Sequence, residues 1–123
     1  MPQLLYQELT KTILEACFEV SNELGSGFLE SVYQKALEIA LQQKGLTIQT
    51  QVPIDVIFRG ETVGHFVADL LVEKRVIVEI KAITALTAAH KAQVINYLKA
   101  TGIQVGLLVN FGNPKLEYKR LHP

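Results

Sequence analysis

The sequence predicts an α/β domain, and three observations point to it. Apolar residues recur at three- and four-residue spacing through two N-terminal stretches. The period then changes to two over three successive strand-like runs. After an alanine-rich helical stretch comes a short, continuously apolar run, the pattern of a strand buried on both faces. The order read is helix, helix, three strands, helix, strand, strand, with no internal repeat, linker or low-complexity segment.

In the first stretch, Leu4 to Leu24, the residues Leu5, Leu9, Ile13, Ala16, Cys17 and Val20 form one face of an amphipathic helix. Gly25-Ser26-Gly27 ends it. A second helix is predicted from Phe28 to Lys44, with Gly45 at its C-terminal cap. Val52, Ile54, Val56 and Phe58 share one face of the first strand, and Arg59-Gly60-Glu61 turns the chain into the second. Phe66–Val72 and Val76–Lys81, joined by Glu73-Lys74-Arg75, complete an antiparallel meander. A third helix runs from Ala85 to Thr101 and stops at Gly102. Val105–Val109 is the buried strand; after a crossover helix it is expected to join the sheet parallel to a neighbour. Asn110-Phe111-Gly112-Asn113-Pro114 reads as a turn, and Leu116–Leu121 as an edge strand.

The 123 residues suffice for one domain with a real core, 1–123, and are too few for two. Hydrophobic residues make up 49% of the chain, a globular composition, and no apolar run approaches the roughly 18 residues of a membrane span. The start, Met1-Pro2-Gln3-Leu4-Leu5-Tyr6-Gln7-Glu8, lacks the basic region and long apolar core of a signal peptide. The lone Cys17 rules out an internal disulfide and fits a reducing cytoplasm. Twelve basic residues balance twelve acidic ones, which counts against strong non-specific nucleic-acid binding and leaves room for a local basic face.

Asp69 and Glu79 are the most informative residues. A hairpin centred on Lys74 puts them directly opposite one another, where Cβ atoms are about 5 Å apart and like charges repel. Alternation turns Glu79 and Lys81 to one side of their strand and Ile80 to the other. Two carboxylates and an ammonium then converge within apolar strands, which costs stability unless a cation lies between the acids. Hard oxygen ligands suit Mg²⁺ or Mn²⁺, and an adjacent lysine could orient a water or neutralise charge on a phosphate. The alternative is a cross-strand salt-bridge cluster with Lys81 paired to one acid.

Glu30, in the first turn of the second helix, is a third acid, though from position alone helix capping is the better account of a carboxylate there. Gln93 and Tyr97 share a face of the third helix, with His90 nearby, and could meet a phosphate or a base; otherwise Tyr97 is a core aromatic and Gln93 a solvated residue. His65 has the parity of Asp69, and His122 lies in the tail. No phosphate-cradling glycine loop, CxxC pair, HExxH or nucleophile-elbow serine is present.

These residues resemble a known pattern. Asp69 with Glu79-Ile80-Lys81 is similar to the D…(D/E)xK signature of the PD-(D/E)XK nuclease superfamily, with Ala68 where many members have proline. Gln93-Val94-Ile95-Asn96-Tyr97 resembles the QxxxY motif of an exonuclease-like branch of it. Gly27-Phe28-Leu29-Glu30-Ser31-Val32-Tyr33 resembles the pattern of the GxxExxY protein family, as do Arg59-Gly60, Val63-Gly64 and Asn110-Phe111-Gly112. The resemblance implies a restriction-endonuclease-like αβββαβ core, a central mixed sheet flanked by helices, with an extra N-terminal helix. It implies that Asp69, Glu79 and the Ile80 carbonyl hold Mg²⁺ (or Mn²⁺), with Glu30 completing the metal site. Lys81 would position the attacking water and stabilise the phosphate, while Gln93 and Tyr97 support site or substrate. The expected function is a Mg²⁺-dependent nuclease hydrolysing phosphodiester bonds in DNA or RNA, with DNA the favoured nucleic-acid partner. The alternative is a catalytically silent nuclease-fold module that binds nucleic acid or a protein partner. So small a core would gain substrate contacts as a homodimer.

Overall fold

The computed structural model describes residues 5–123. Three helices and five strands follow in the order α1 (Gln7–Leu24), α2 (Glu30–Gln43), β1 (Ile48–Phe58), β2 (Glu61–Val72), β3 (Val76–Lys81), α3 (Ala88–Thr101), β4 (Val105–Asn110), β5 (Glu117–Leu121). Element order and type agree with the sequence pattern. Boundaries move by a few residues: α1 begins at Gln7, α2 at Glu30 and α3 at Ala88, whereas β1 starts earlier, at Ile48. The expected helix start at Leu4, and the first four residues of the Met1–Glu8 stretch read as lacking a signal peptide, lie outside the described residues. Among the described residues, no helix is long and apolar enough to cross a membrane.

The sheet order is β1-β2-β3-β4-β5. β1, β2 and β3 form the antiparallel meander, β4 joins β3 in parallel after the α3 crossover, and β5 returns antiparallel at the edge. This is the mixed sheet of a restriction-endonuclease-like fold. The hairpin after β2 pairs Val72 with Val76, and Glu73 and Lys74 both adopt positive φ (53° and 56°), the backbone of a tight hairpin turn.

Each sheet face buries its own cluster. On one, Ile13, Cys17 and Val20 of α1 and Tyr33, Leu37 and Leu41 of α2 pack against Leu70, Val78, Ile80 and Leu107. On the other, Tyr97 and Leu98 of α3 cover Ile54, Ala68, Leu71 and Ile77. Gly106 lets α3 approach the sheet: a Cβ there would lie 2.8 Å from Val94 Cγ1. Cys17 is buried, and burial pushes its thiol up to about 12, so it is an inert core residue. His90 belongs to a capping box: its amide donates to Thr87 Oγ1 at 3.4 Å, and the Thr87 amide donates to His90 Nδ1 at 3.0 Å.

One irregularity sets the position of Asp69. In a regular strand Ala68 and Leu70 would share a face. Here Ala68 packs under α3 and Leu70 under α1 and α2. β1 swaps faces at the matching place, with Ile48 on the α1–α2 side and Val52 on the α3 side. The register skips Gln51 and Asp69, and Gln51 has φ 49°. Both strands therefore turn over at one point, as bulged strands do beside functional sites, and Asp69 sits at that point. His65, given the parity of Asp69 by simple alternation, lies beyond the turnover and bonds Asp55 at 2.7 Å instead.

Candidate active site

The turnover at Asp69 also opens the sheet. β2 and β3 pair only through Leu70↔Val78, Leu71↔Ile77 and Val72↔Val76. Beyond them side chains replace the ladder. The Asp69 amide donates to Glu79 Oε1 at 2.8 Å, and the Ile80 amide donates to Asp69 Oδ2 at 2.8 Å. The expected facing of the two acids is thus met, with each carboxylate anchored by one oxygen to the opposite backbone. The Asp69 carbonyl, without a β1 partner, receives Gln34 Nε2 from α2 at 3.4 Å.

Glu79 is 5% exposed. Ile77 packs under α3 while Val78 and Ile80 face the other helices, so alternation turns Glu79 and Lys81 toward α3. No ion pair within 4 Å involves Asp69, Glu79, Glu30 or Lys81 among the described residues; the pairs formed are Lys44–Glu19 and His65–Asp55. The salt-bridge alternative for Lys81 therefore finds no support in the geometry.

The electrostatics follow from burial. Burial, then the Asp69 charge, pushes the Glu79 carboxyl up to about 8, against the opposing Asp69 amide and Lys81. Burial also raises Asp69, partly offset by the Ile80 amide and Lys81. Glu30 is raised by burial and then by Asp69, with Lys81 opposing. Burial, followed by Glu79 and Asp69, raises the Tyr97 phenol, and a contact from Gln93 acts the other way. Glu30, Asp69, Glu79, Lys81, Gln93 and Tyr97 thus share one electrostatic neighbourhood built from α2, β2, β3 and α3.

Glu30 stands apart in one respect. Among the described residues, no group of three or more His, Cys, Asp and Glu side chains gathers within reach of a single metal ion. Asp69 and Glu79 make a close pair, and Glu30 acts on them through its field. It is not spent on capping either: Leu29 is the N-cap of α2, with no side-chain cap hydrogen bond. The donor set of two hard carboxylates, one oxygen of each tied down, and a neighbouring strand carbonyl fits a divalent cation of the Mg²⁺ kind. Such a cation would also relieve the repulsion that raises Glu79.

Two residues outside the expected set hold this neighbourhood in place. Tyr33 is fully buried; its hydroxyl donates to the Gly25 carbonyl at 2.7 Å and accepts from the Phe28 amide at 3.2 Å. It thereby fixes the loop that presents Glu30. Its ring stacks on Phe111 with centroids 4.8 Å apart and planes 6° from parallel. Asn110, read from sequence as part of a turn, is the buried last residue of β4. Its Oδ1 accepts from the amides of Ile83 (2.9 Å) and Gly112 (3.0 Å), and its Nδ2 donates to Ile83 O (2.9 Å) and Glu117 Oε1 (3.1 Å). This clamps the loop that follows Lys81. Gly112 is required there, since a Cβ would lie 1.9 Å from the Ile83 carbonyl oxygen.

The residue pattern of the PD-(D/E)XK nuclease superfamily matches residues 7–121, almost the whole chain. The chain belongs to the PD-(D/E)XK nuclease superfamily. Among solved structures, the crystal structure of SSO0001 is similar in fold, with a TM-score of 0.61 at 19% identity over 95% of this chain. The chain spans 60% of the length of that protein. No curated protein matches it. By resemblance, Asp69 corresponds to the first acid of the signature and Glu79-Ile80-Lys81 to its (D/E)xK tripeptide. The structure brings these two segments together where the sheet opens.

Proposed function

We propose that this PD-(D/E)XK chain is a divalent-metal-dependent nuclease of the GxxExxY type, hydrolysing phosphodiester bonds in DNA or RNA at the Asp69–Glu79–Lys81 site. The observation that carries the reading is the acid pair itself: buried Glu79 and half-buried Asp69 joined through each other's backbone, with no cationic side chain within 4 Å among the described residues and Glu79 raised to about 8. A structural pair would be neutralised by a neighbour; this one is left for a cation.

Asp69, Glu79 and the Ile80 carbonyl would hold the ion in this reading, with Glu30 acting on it from farther off. When bound, Mg²⁺ or Mn²⁺ supplies Lewis-acid polarisation of the phosphate and an acidified water. The chain's own residues do the rest. The Lys81 ammonium, on the strand face of Glu79, orients the attacking water and opposes the negative charge that grows on the phosphoryl oxygens. Tyr97 and Gln93, across from the acids on α3, hold the substrate strand beside them. The reading is tested with purified protein, Mg²⁺ or Mn²⁺, and labelled DNA and RNA of varied structure. Cleavage is expected, and its disappearance in Asp69→Ala and Lys81→Ala. A protein that binds nucleic acid without cutting, indifferently to Asp69→Ala, would be the silent module instead.

A further inference from the structure

Beside the acid pair, the outer half of the β1–β2 hairpin and α3 enclose an open groove of about 770 Å³. Phe66, Val56 and Ile57 form its apolar side; Gln93, Asn96 and Lys99 line it from α3. We propose that this groove receives an unpaired nucleobase, stacked on Phe66, so that the substrate is a single-stranded polynucleotide or a single-stranded segment. The inference deepens the nuclease reading and rests on it.

Five observations support this occupant. The groove is continuous with the candidate site, because Tyr97 and Gln93 line it while Tyr97 also feels the charges of Glu79 and Asp69. Phe66 lies three residues from Asp69, about 10 Å along a strand. Phe66 is 44% exposed, and its ring meets Tyr97 with centroids 5.7 Å apart at 46°. Aromatic faces of this kind hold successive bases of single strands, whereas bases inside a duplex are covered above and below.

Gln93 and Asn96, three apart on one helix face, offer amide donors and acceptors suited to base edges. Asp55 lines the same groove as a carboxylate bonded to His65, which disfavours a phosphate inside and turns the backbone outward. Finally, twelve basic and twelve acidic residues leave no net charge to attract a duplex backbone. Affinity must then come mostly from bases.

Binding is measured by fluorescence anisotropy in EDTA, so that no cleavage occurs. The probes are labelled oligothymidylate, oligouridylate and a blunt DNA duplex of equal length. Wild-type protein is expected to bind a single strand at least about tenfold more tightly than the duplex, the two single strands deciding between DNA and RNA. Phe66→Ala is expected to weaken single-strand binding about tenfold, the effect of one stacked base, and Phe66→Trp to retain it. With Lys81 and Lys99 as the phosphate contacts, the log–log salt slope should be shallow, roughly −1.4.

Equal or tighter duplex binding, no binding of any probe, or wild-type affinity in Phe66→Ala would overturn the proposal. The wild-type comparison stands even where a variant misfolds. A separate incubation with Mn²⁺ keeps the two readings apart. Binding as described without cleavage counts against the nuclease alone, while cleavage of duplex with no single-strand preference removes only the groove.

Discussion

Glu79 carries a cost that pH exposes. Its ordinary value of 4.5 is raised to about 8 in the fold by burial and by Asp69. The folded chain therefore holds a proton that the unfolded chain releases across this interval. The stability that this group contributes is full below about pH 4.5 and falls as pH rises through about 8, by an amount on the order of a few kcal/mol. Thermal melts in EDTA across this window should show a falling melting temperature, and Glu79→Gln should flatten the curve. A metal-free profile that rises or stays level across the window would mean that Glu79 is not a strained acid. In the proposed mechanism Lys81 has a different task. Lys81→Met should leave Mn²⁺ binding near wild type by calorimetry while lowering cleavage roughly a hundredfold or more, the scale of removing one charge-stabilising group. Equal losses in binding and turnover would make Lys81 a structural residue.

The loops that end β3 and begin α2 are held by buried polar groups. Removing the Tyr33 hydroxyl in Tyr33→Phe leaves the Gly25 carbonyl and Phe28 amide without their partner, at a cost of about 1–3 kcal/mol. Denaturant melts measure this, and any cleavage activity should fall further than stability explains, because Glu30 loses its support. Gly112→Ala forces a methyl into the Ile83 carbonyl and should cost several kcal/mol; an unchanged midpoint would show that the loop yields easily. These elements also mark how far the sequence can be read. The hairpin register was legible because three polar residues separate two apolar runs, and that placed Asp69 against Glu79. The turnover at Gln51 and Asp69 was not, because alternation assumes a regular strand and no glycine signals the bulge. Asn110 read as a turn residue, since its role depends on Ile83, distant in sequence and brought close only by the sheet. Tyr33 stood out only as one letter of a motif; its buried hydroxyl explains the letter physically.

Across the whole molecule, helices on both faces support one opening in the sheet, and α2, β2, β3 and α3 each bring a residue to it. The helix and strand order was legible from periodicity, while the groove beside Phe66 was not, because it forms between a hairpin and a helix that are remote in sequence. The superfamily membership and the uncompensated acids together lead to one thermodynamic expectation. Saturating Mn²⁺ should raise the melting temperature by roughly 5–10 °C. Asp69→Asn should abolish that rise and leave the metal-free protein at least as stable as wild type, since it removes the charge that faces Glu79 across the hairpin.

Hydrolysis itself is the most direct test. Labelled single-stranded and duplex DNA and RNA are incubated with purified protein in Mn²⁺, in EDTA, and with Asp69→Ala and Lys81→Ala. The site described here predicts cleavage by the wild type in Mn²⁺ alone, lost with EDTA and in both variants. Cleavage that persists in either variant, or a wild-type protein that cuts none of these substrates in Mn²⁺, would contradict it.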